Sequence, residues 1–406
     1  IYADLGYRTV STNPCGEIPL CPYDSCRLIA VNLYSYVVNP FTPEAYFDFG
    51  LFKDHVHKAM RLMDDLLDLE IEKIDLIISK ISKDPEDDNV KRTEYDLWSK
   101  IREKSLGGRR TGLGITAEGD MLAALGLKYG SDEAIDFAVK VQKTLAVEAY
   151  RSSVDMAGER GAFPIYDAER EKDNPMILRI KNADPALYEK MLQQGRRNVS
   201  MLTIAPTGTA SLMTQTTSGI EPVFRAFYKR RKKVNPNDKN VKISYRDEMG
   251  DCFEEYFVFH HKFLTWASLN GYTEEQVRAM DSDQLDELMA KSPYYKASAG
   301  DIDWVAKVRM QGAIQKWVDH SISVTVNLPN DVTEELVSEV YRTAWECGCK
   351  GMTVYREGSR NDILISVKKK EEVPAKPLKR PVPLEADVVR FRNGSEKWIA
   401  FIGLID

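Results

Sequence analysis

The chain has 406 residues, of which 43% are hydrophobic and 29% charged, and it carries a formal net charge of −6. This is the composition of an ordinary soluble globular protein with one large domain or two to three smaller ones, and its acidic balance argues against a general nucleic-acid binder. No apolar run reaches the roughly eighteen residues of a membrane span, and six cysteines over this length do not make a disulfide scaffold.

Residues 1–36 read as short extended segments around Asn13-Pro14-Cys15-Gly16-Glu17. Pro14 fixes φ and Gly16 permits unusual φ, so a tight, non-helical loop is expected at Cys15. A thiol there can do nucleophilic, redox or radical work. Glu17 can move a proton, and the Asn13 amide can orient a hydroxylated substrate. A second thiol, Cys26, eleven residues on, can supply electrons by forming a disulfide. The bland alternative is a turn around a buried, inert cysteine. No signal peptide precedes this segment, so the cytoplasm, where thiols stay reduced, is the expected compartment.

Apolar residues at three- and four-residue steps, Leu62, Leu66, Leu67, Ile71, Ile74 and Ile78 among them, predict a helix from about Phe41 to Lys80. Another helix should run from about Lys91 to Lys104. Gly107 to Gly114 is glycine-rich but lacks the spacing of a dinucleotide fingerprint, and it reads as a structural bend entering a helix near Thr116. Ser131 should cap a long helix reaching about Gly158.

Asn198 to Ile204 reads as a buried strand. It leads into Ala205-Pro206-Thr207-Gly208-Thr209-Ala210-Ser211, a loop of small and hydroxyl residues that enters a helix. Backbone N–H groups and a helix N-terminus suit a phosphate there, and an ordinary helix cap is the alternative. The basic run Lys229 to Lys233 reads as a solvated face. Residues 253–317 read as mostly helical, with His260-His261 on a helix and without a ligand partner at i+4. Ile322 to Leu328, Val332 to Cys347 and Met352 to Tyr355 give strand, helix, strand, a βαβ signature. Lys368 to Pro383 is a Lys/Pro/Glu linker, and Val388 to Leu404 is a hairpin turning at Asn393-Gly394. The cysteine spacings are not those of zinc knuckles, so no metal site is expected, and Cys252, Cys347 and Cys349 read as structural.

Four segments, in order and spacing, resemble the catalytic subunit of ribonucleotide reductases, specifically the class II, adenosylcobalamin-dependent branch. They are Ser11 to Glu17 with Cys26; Arg110-Thr111-Gly112-Leu113-Gly114; Ala205 to Thr209 with Gly219-Ile220-Glu221-Pro222; and Val326-Asn327-Leu328-Pro329 with Lys350 to Arg356. The resemblance covers about residues 1–365. It implies an α/β fold, the second half of a ten-stranded α/β barrel with many surrounding helices, threaded by a finger loop at about residues 10–27. A Lys/Pro-rich linker (366–386) and a truncated β-hairpin module (387–406) would follow.

The same resemblance implies that Cys15 is the thiyl radical that abstracts the 3′-hydrogen of a ribonucleotide. Glu17 would accept the 3′-hydroxyl proton, Asn13 would hydrogen-bond the substrate, and Cys26 would be one of two reductant thiols. Pro206, Thr207, Gly208, Thr209, Ala210 and Ser211 would hold the substrate phosphates. Class I relatives carry a Tyr-Tyr pair where this chain has Val354-Tyr355, so a radical relay from a partner subunit is broken and adenosylcobalamin is the implied radical source. The implied partners are a ribonucleotide, an N-terminal half that carries the second reductant cysteine, and a thioredoxin-like or dithiol reductant; a dimer is allowed. Both ends look cut, so a fragment or one half of a split protein, inactive alone, is expected. The rival readings are a class I catalytic fragment using a separate radical subunit, and a non-catalytic nucleotide-binding module with structural cysteines.

Overall fold

Turn chemistry near the start of the chain gives a hairpin, β1 (Ser11–Thr12) with β2 (Pro19–Leu20), followed by β3 (Leu28–Asn32) and a short antiparallel pair, β4 (Val37–Val38) with β5 (Tyr46–Phe47). The structure is a computed structural model that describes residues 1–25, 27–235, 243–246, 252–359, 364–365, 386–393 and 396–403. Cys26 and the whole Lys368 to Pro383 stretch therefore lie outside the described residues.

Helix α1 (Phe49–Ile81) starts later than periodicity predicts because Asp48 caps it, its Oδ1 accepting from the Leu51 N–H at 2.9 Å. Phe52, Val56, Met60, Met63, Leu67 and Ile71 form its buried stripe, whereas Leu62 and Leu66 face solvent. Helix α2 (Asp88–Gly108) ends in two glycines and is closed by Arg109 in the left-handed region.

The glycine-rich stretch expected as a bend contains a fully buried strand, β6 (Gly112–Thr116). Two glycines in five residues conceal its pattern. Gly114 is there for close approach, since a Cβ would lie 2.3 Å from the Thr203 main-chain oxygen. Gly114→Ala is expected to cost about 3 kcal/mol, because two main chains must part to admit the methyl group. A urea-unfolding midpoint unmoved by this substitution would contradict the packing.

After β6 come α3 (Glu118–Ala124) and α4 (Asp132–Arg160), the latter capped by Ser131 Oγ accepting from the Ala134 N–H at 3.2 Å. Three short helices, α5 (Ala168–Glu171), α6 (Pro175–Ala183) and α7 (Pro185–Gln194), start at Asp167, Asn174 and Asp184, each accepting a main-chain bond in its own first turn. Helix α8 (Gly208–Thr214) begins inside the Ala205 to Ser211 motif. An antiparallel ribbon pairs β7 (Phe227–Val234) with β9 (Cys252–Phe259), and β8 (Tyr245–Arg246) pairs with β9. Residues 252–259 thus form a strand where a helix was expected, because Phe253, Phe257 and Phe259 alternate with residues of the opposite face. Helices α9 (His261–Leu269), α10 (Glu274–Ala279), α11 (Ser282–Ala290) and α12 (Trp304–Gln315) precede β10 (Thr325–Leu328), α13 (Glu334–Glu346), β11 (Thr353–Arg356) and β12 (Leu364–Ile365).

Five extended segments run parallel, and their spatial order is their chain order. β3 pairs with β6, Leu113 bridges to Leu202, Ile204 bridges to Ile322 just ahead of β10, and β10 pairs with β11. Helices return the chain between them, as parallel pairing requires. Among the described residues no sheet closes on itself. The main core packs α1 and α4 against β3, β6 and residues 201–204, a second cluster lies around Phe263, Trp266 and Tyr294, and a third joins Val326, Leu328 and Val354 to α12 and α13.

The chain divides into two compact units, Ile1–Ile365 and Ser366–Asp406. In the second, β13 (Ala386–Asn393) pairs antiparallel with β14 (Glu396–Gly403), and the connecting Gly394 lies outside the described residues.

Candidate active site

The hairpin carries its reactive groups on one turn. The Gly16 N–H donates to the Asn13 carbonyl at 3.0 Å, the Asn13 N–H to the Ile18 carbonyl at 3.1 Å, and the Ile18 N–H to Asn13 Oδ1 at 3.0 Å. Pro14 sits second in this β-turn, and Gly16 takes φ +81°, which only glycine adopts freely. Cys15, at the tip, is a free and exposed thiol.

Glu17 anchors the hairpin by its main chain. Its carbonyl accepts from the Ser321 N–H at 2.8 Å and from Thr203 Oγ1 at 3.0 Å, so the turn is seated on the third and fourth parallel segments. Its side chain is 1% exposed, and Oε2 is buried without a hydrogen-bond partner. An unpaired buried carboxylate oxygen is costly, and a substrate hydroxyl would satisfy it.

Behind the hairpin lies a brace. Arg110 Nε donates to Asp24 Oδ2 at 2.6 Å, Arg110 Nη1 lies 3.1 Å from His320 Nε2, and Cys21 Sγ donates to Asp24 Oδ2 at 3.4 Å. Burial, with Asp24 adding to it, pushes the Cys21 thiol up to about 11, so it stays protonated at neutral pH. Burial and the Arg110 charge hold His320 well below its ordinary range, so it is neutral. Cys26 falls outside the described residues.

The Ala205 to Ser211 motif follows the third parallel segment, with Thr207 four residues beyond Thr203. Thr207 is in the left-handed region, its Oγ1 accepting from the Gly219 N–H at 2.8 Å and lying 2.9 Å from Thr116 Oγ1. That hydroxyl therefore shapes the loop. Pro206 has no N–H to offer. Gly208, Thr209 and Ala210 are exposed, and as the first turn of α8 their N–H groups have no intrahelical acceptor. The buried Ser211 Oγ donates to the Gly208 carbonyl at 2.8 Å and lies 3.1 Å from Ser218 Oγ, which ties the turn together.

Beside α8 an open cavity of about 650 Å³ is bounded by the β7–β9 ribbon and by β10 and β11. Thr325, Asn327 and Tyr355 face it, whereas Val326, Leu328 and Val354 point the other way into the third core cluster. Two groups escaped sequence reasoning, one of them at this cavity. His260, which also lines the cavity, has its Nε2 2.7 Å from Oδ1 of the fully buried Asp120, and the two are 140 residues apart. Glu118, first in α3, is fully buried with neither carboxylate oxygen hydrogen-bonded, and burial pushes its carboxyl up to about 8. No local pattern announces either. Among the described residues no cluster of three or more histidine, cysteine or acidic side chains is arranged to hold a metal ion, and no helix is long and apolar enough to cross a membrane.

Comparison with known proteins agrees with this architecture. The family model "Ribonucleotide reductase, barrel domain" matches residues 6–355. A vitamin B12-dependent ribonucleoside-diphosphate reductase of Mycobacterium tuberculosis is 29% identical over 365 residues, covering 88% of this chain and 43% of that protein. The protein of the same description from Thermoplasma acidophilum is 31% identical over 354 residues, covering 86% of this chain and 38% of the relative. Among solved structures, the Actinobacillus ureae class Id ribonucleotide reductase alpha subunit superposes with a TM-score of 0.57 at 16% identity, over 88% of this chain and 55% of that one, a likeness of fold. The chain spans less than half the length of these two relatives. With an α/β fold of parallel strands and a family match over most of its length, the chain belongs to the ribonucleotide reductase barrel-domain family.

Proposed function

We propose that this chain is the C-terminal catalytic portion of an adenosylcobalamin-dependent ribonucleotide reductase and supplies the second half of a ten-stranded barrel. The observation that carries the proposal is the hairpin: an exposed thiol at Cys15, two residues from a buried carboxylate oxygen of Glu17 that has no partner. In this reading a Cys15 thiyl radical takes the 3′-hydrogen of a ribonucleotide, forming an S–H bond and leaving a carbon radical at C3′. Glu17 receives the 3′-hydroxyl proton, and the 2′-hydroxyl leaves as water. Two further thiols, Cys26 and one on the N-terminal portion, supply two electrons and two protons and become a disulfide, which an external dithiol reduces. One of those protons leaves with the water, and the other goes with the electrons into the new C2′–H bond. Glu17 returns its proton to the 3′-oxygen, and Cys15 returns its hydrogen to C3′ and is again a thiyl radical. Asn13 offers the substrate its amide N–H₂, since its Oδ1 is engaged by Ile18. The free N–H groups of Gly208, Thr209 and Ala210 receive the substrate phosphates.

The cofactor named in the relatives' descriptions fits the residues present. Cys15 Sγ is open to approach, and the cavity beside β10 and β11 has apolar and aromatic walls, Phe224, Tyr228 and Tyr355, that would hold a large planar group. Adenosylcobalamin, when bound, supplies the one-electron oxidation of the Cys15 thiol. Val354 in place of a second tyrosine supports an internal radical source over a relay. The units Ile1–Ile365 and Ser366–Asp406 would be the catalytic portion and an appended module.

The test is reconstitution. The chain is mixed with a polypeptide carrying the first half-barrel, a ribonucleotide, a dithiol and adenosylcobalamin, and cobalamin-dependent deoxyribonucleotide formation is expected. Turnover that needs a separate radical subunit instead would move the chain to class I. No product with both parts folded and associated would refute the proposal.

A further inference from the structure

We propose that His260, oriented by Asp120, recognises a heteroaromatic base bound in the cavity beside β10 and β11. Asp120 is fully buried, and three donors converge on it: His260 Nε2 at 2.7 Å and the Tyr294 hydroxyl at 2.8 Å on Oδ1, and the Thr217 N–H at 2.8 Å on Oδ2. An ionised carboxylate only accepts, so the arrangement places the proton on Nε2 and leaves Nδ1 as the imidazole's second polar atom. The Tyr294 ring meets the imidazole edge-on at 5.7 Å between centroids, which restrains its rotation. His260 precedes α9 at the capping position yet makes no capping bond, so its side chain is not spent on the helix.

The imidazole is 14% exposed and lines the cavity together with Phe224, Tyr228, Tyr355, Gln215 and Asn327. Aromatic walls with a few fixed hydrogen-bonding groups suit a flat ring that has donors and acceptors on its edge. Asn327 and Gln215 provide both functions, and His260 adds one in a set orientation. The inference deepens the proposed function and rests on it only for the source of the base. That base could belong to the adenosyl group or the benzimidazole tail of the cofactor, or to the ribonucleotide itself.

The experiment uses the full chain labelled with ¹⁵N, whose five histidines keep the imidazole spectrum simple. 5′-Deoxyadenosine, cytidine diphosphate and hydroxocobalamin are titrated separately. At least one is expected to move the His260 ring-nitrogen signals and to leave those of His55 and His57 on α1 in place. His260→Gln preserves a donor to Asp120 while deleting Nδ1, and should weaken that probe about tenfold with no change in thermal midpoint. His260→Asn, whose amide can stand near Nδ1, should recover part of the loss. Asp120→Asn should also weaken binding; if it fails to fold, the His260 variants decide alone. If none of the three probes moves the His260 signals, or if His260→Gln binds all of them as the unaltered chain does, the inference is wrong. Product formation in the reconstituted enzyme alongside that result would remove this inference alone. Binding at His260 without product formation would remove the functional proposal alone.

Discussion

Replacing Cys15 by serine is expected to reduce deoxyribonucleotide formation by the reconstituted enzyme to background while moving the unfolding free energy by no more than about 0.5 kcal/mol. The asymmetry follows from where the side chain stands. Cys15 is exposed at a hairpin tip whose geometry is set by Asn13, Pro14 and Gly16, so no packing is lost with its sulfur. Its chemistry is lost entirely, because an alcohol O–H bond is too strong for the serine oxygen to be oxidised in the way a thiol is. Cys252 provides the opposite case. It is 1% exposed, and Cys252→Ser places a hydroxyl in a buried strand position at a cost of about 1–2 kcal/mol with no step of the reaction touched. Activity and urea-unfolding measurements on the two variants separate a reaction centre from structural cysteines. Equal loss of activity in both, or unchanged activity in Cys15→Ser, would return the hairpin to the status of an ordinary turn.

The second large effect belongs to Glu118. Its carboxyl is raised from 4.5 to about 8 by burial, so the folded state holds a proton that the unfolded chain releases over most of the range between. Unfolding then sheds a proton, and stability falls as pH rises, by about 1.4 kcal/mol per pH unit. The stability is fully present below 4.5 and is lost as pH passes through about 8, a total on the order of 5 kcal/mol. His320, held low by burial, works in the other direction at acid pH, so the comparison must be with a variant. Urea unfolding of the unaltered chain and of Glu118→Gln at pH 5.5 and 8.5 should show a gap in favour of glutamine that is small at the acid value and wider by about 3 kcal/mol at the alkaline one. A separation that does not grow with pH would mean that water or a cation satisfies the carboxylate.

The parts of this molecule that could be read from its sequence are those whose determinants are local. Asn13-Pro14 and Gly16 are turn chemistry wherever they occur, Ser131 is a cap by its own side chain, and β10–α13–β11 has periodicities of two and three to four on either side of short breaks. β6 was hidden because Gly112 and Gly114 carry no side chain to show alternation; the reason Gly114 is a glycine, the Thr203 main chain lying against it, is 89 residues away in the chain. The β7–β9 ribbon was hidden because Lys229 to Lys233 is as polar as a solvated loop, and only the opposite strand, with Glu254 and Glu255 across from it, makes sense of the charge. The link between His260 and Asp120 joins residues that neither motif nor spacing connects. The candidate site shares this division. Its turn and its glycine-threonine loop could be recognised in sequence, whereas the seat under Glu17 and the oriented imidazole are products of the assembled sheet.

That seat has a consequence for the order of events when the chain folds. The hairpin of Cys15 is built from neighbours, yet it is held by Thr203, 186 residues later, and by Ser321, later still. Closing such long loops is entropically expensive and comes after local structure has formed. The thiol would thus acquire its fixed position only when the fourth parallel segment is in place. A nascent or partly unfolded chain, although it already carries Cys15, would hold the side chain on an unanchored turn, and the proposed reaction centre would be complete only with the last long-range contacts.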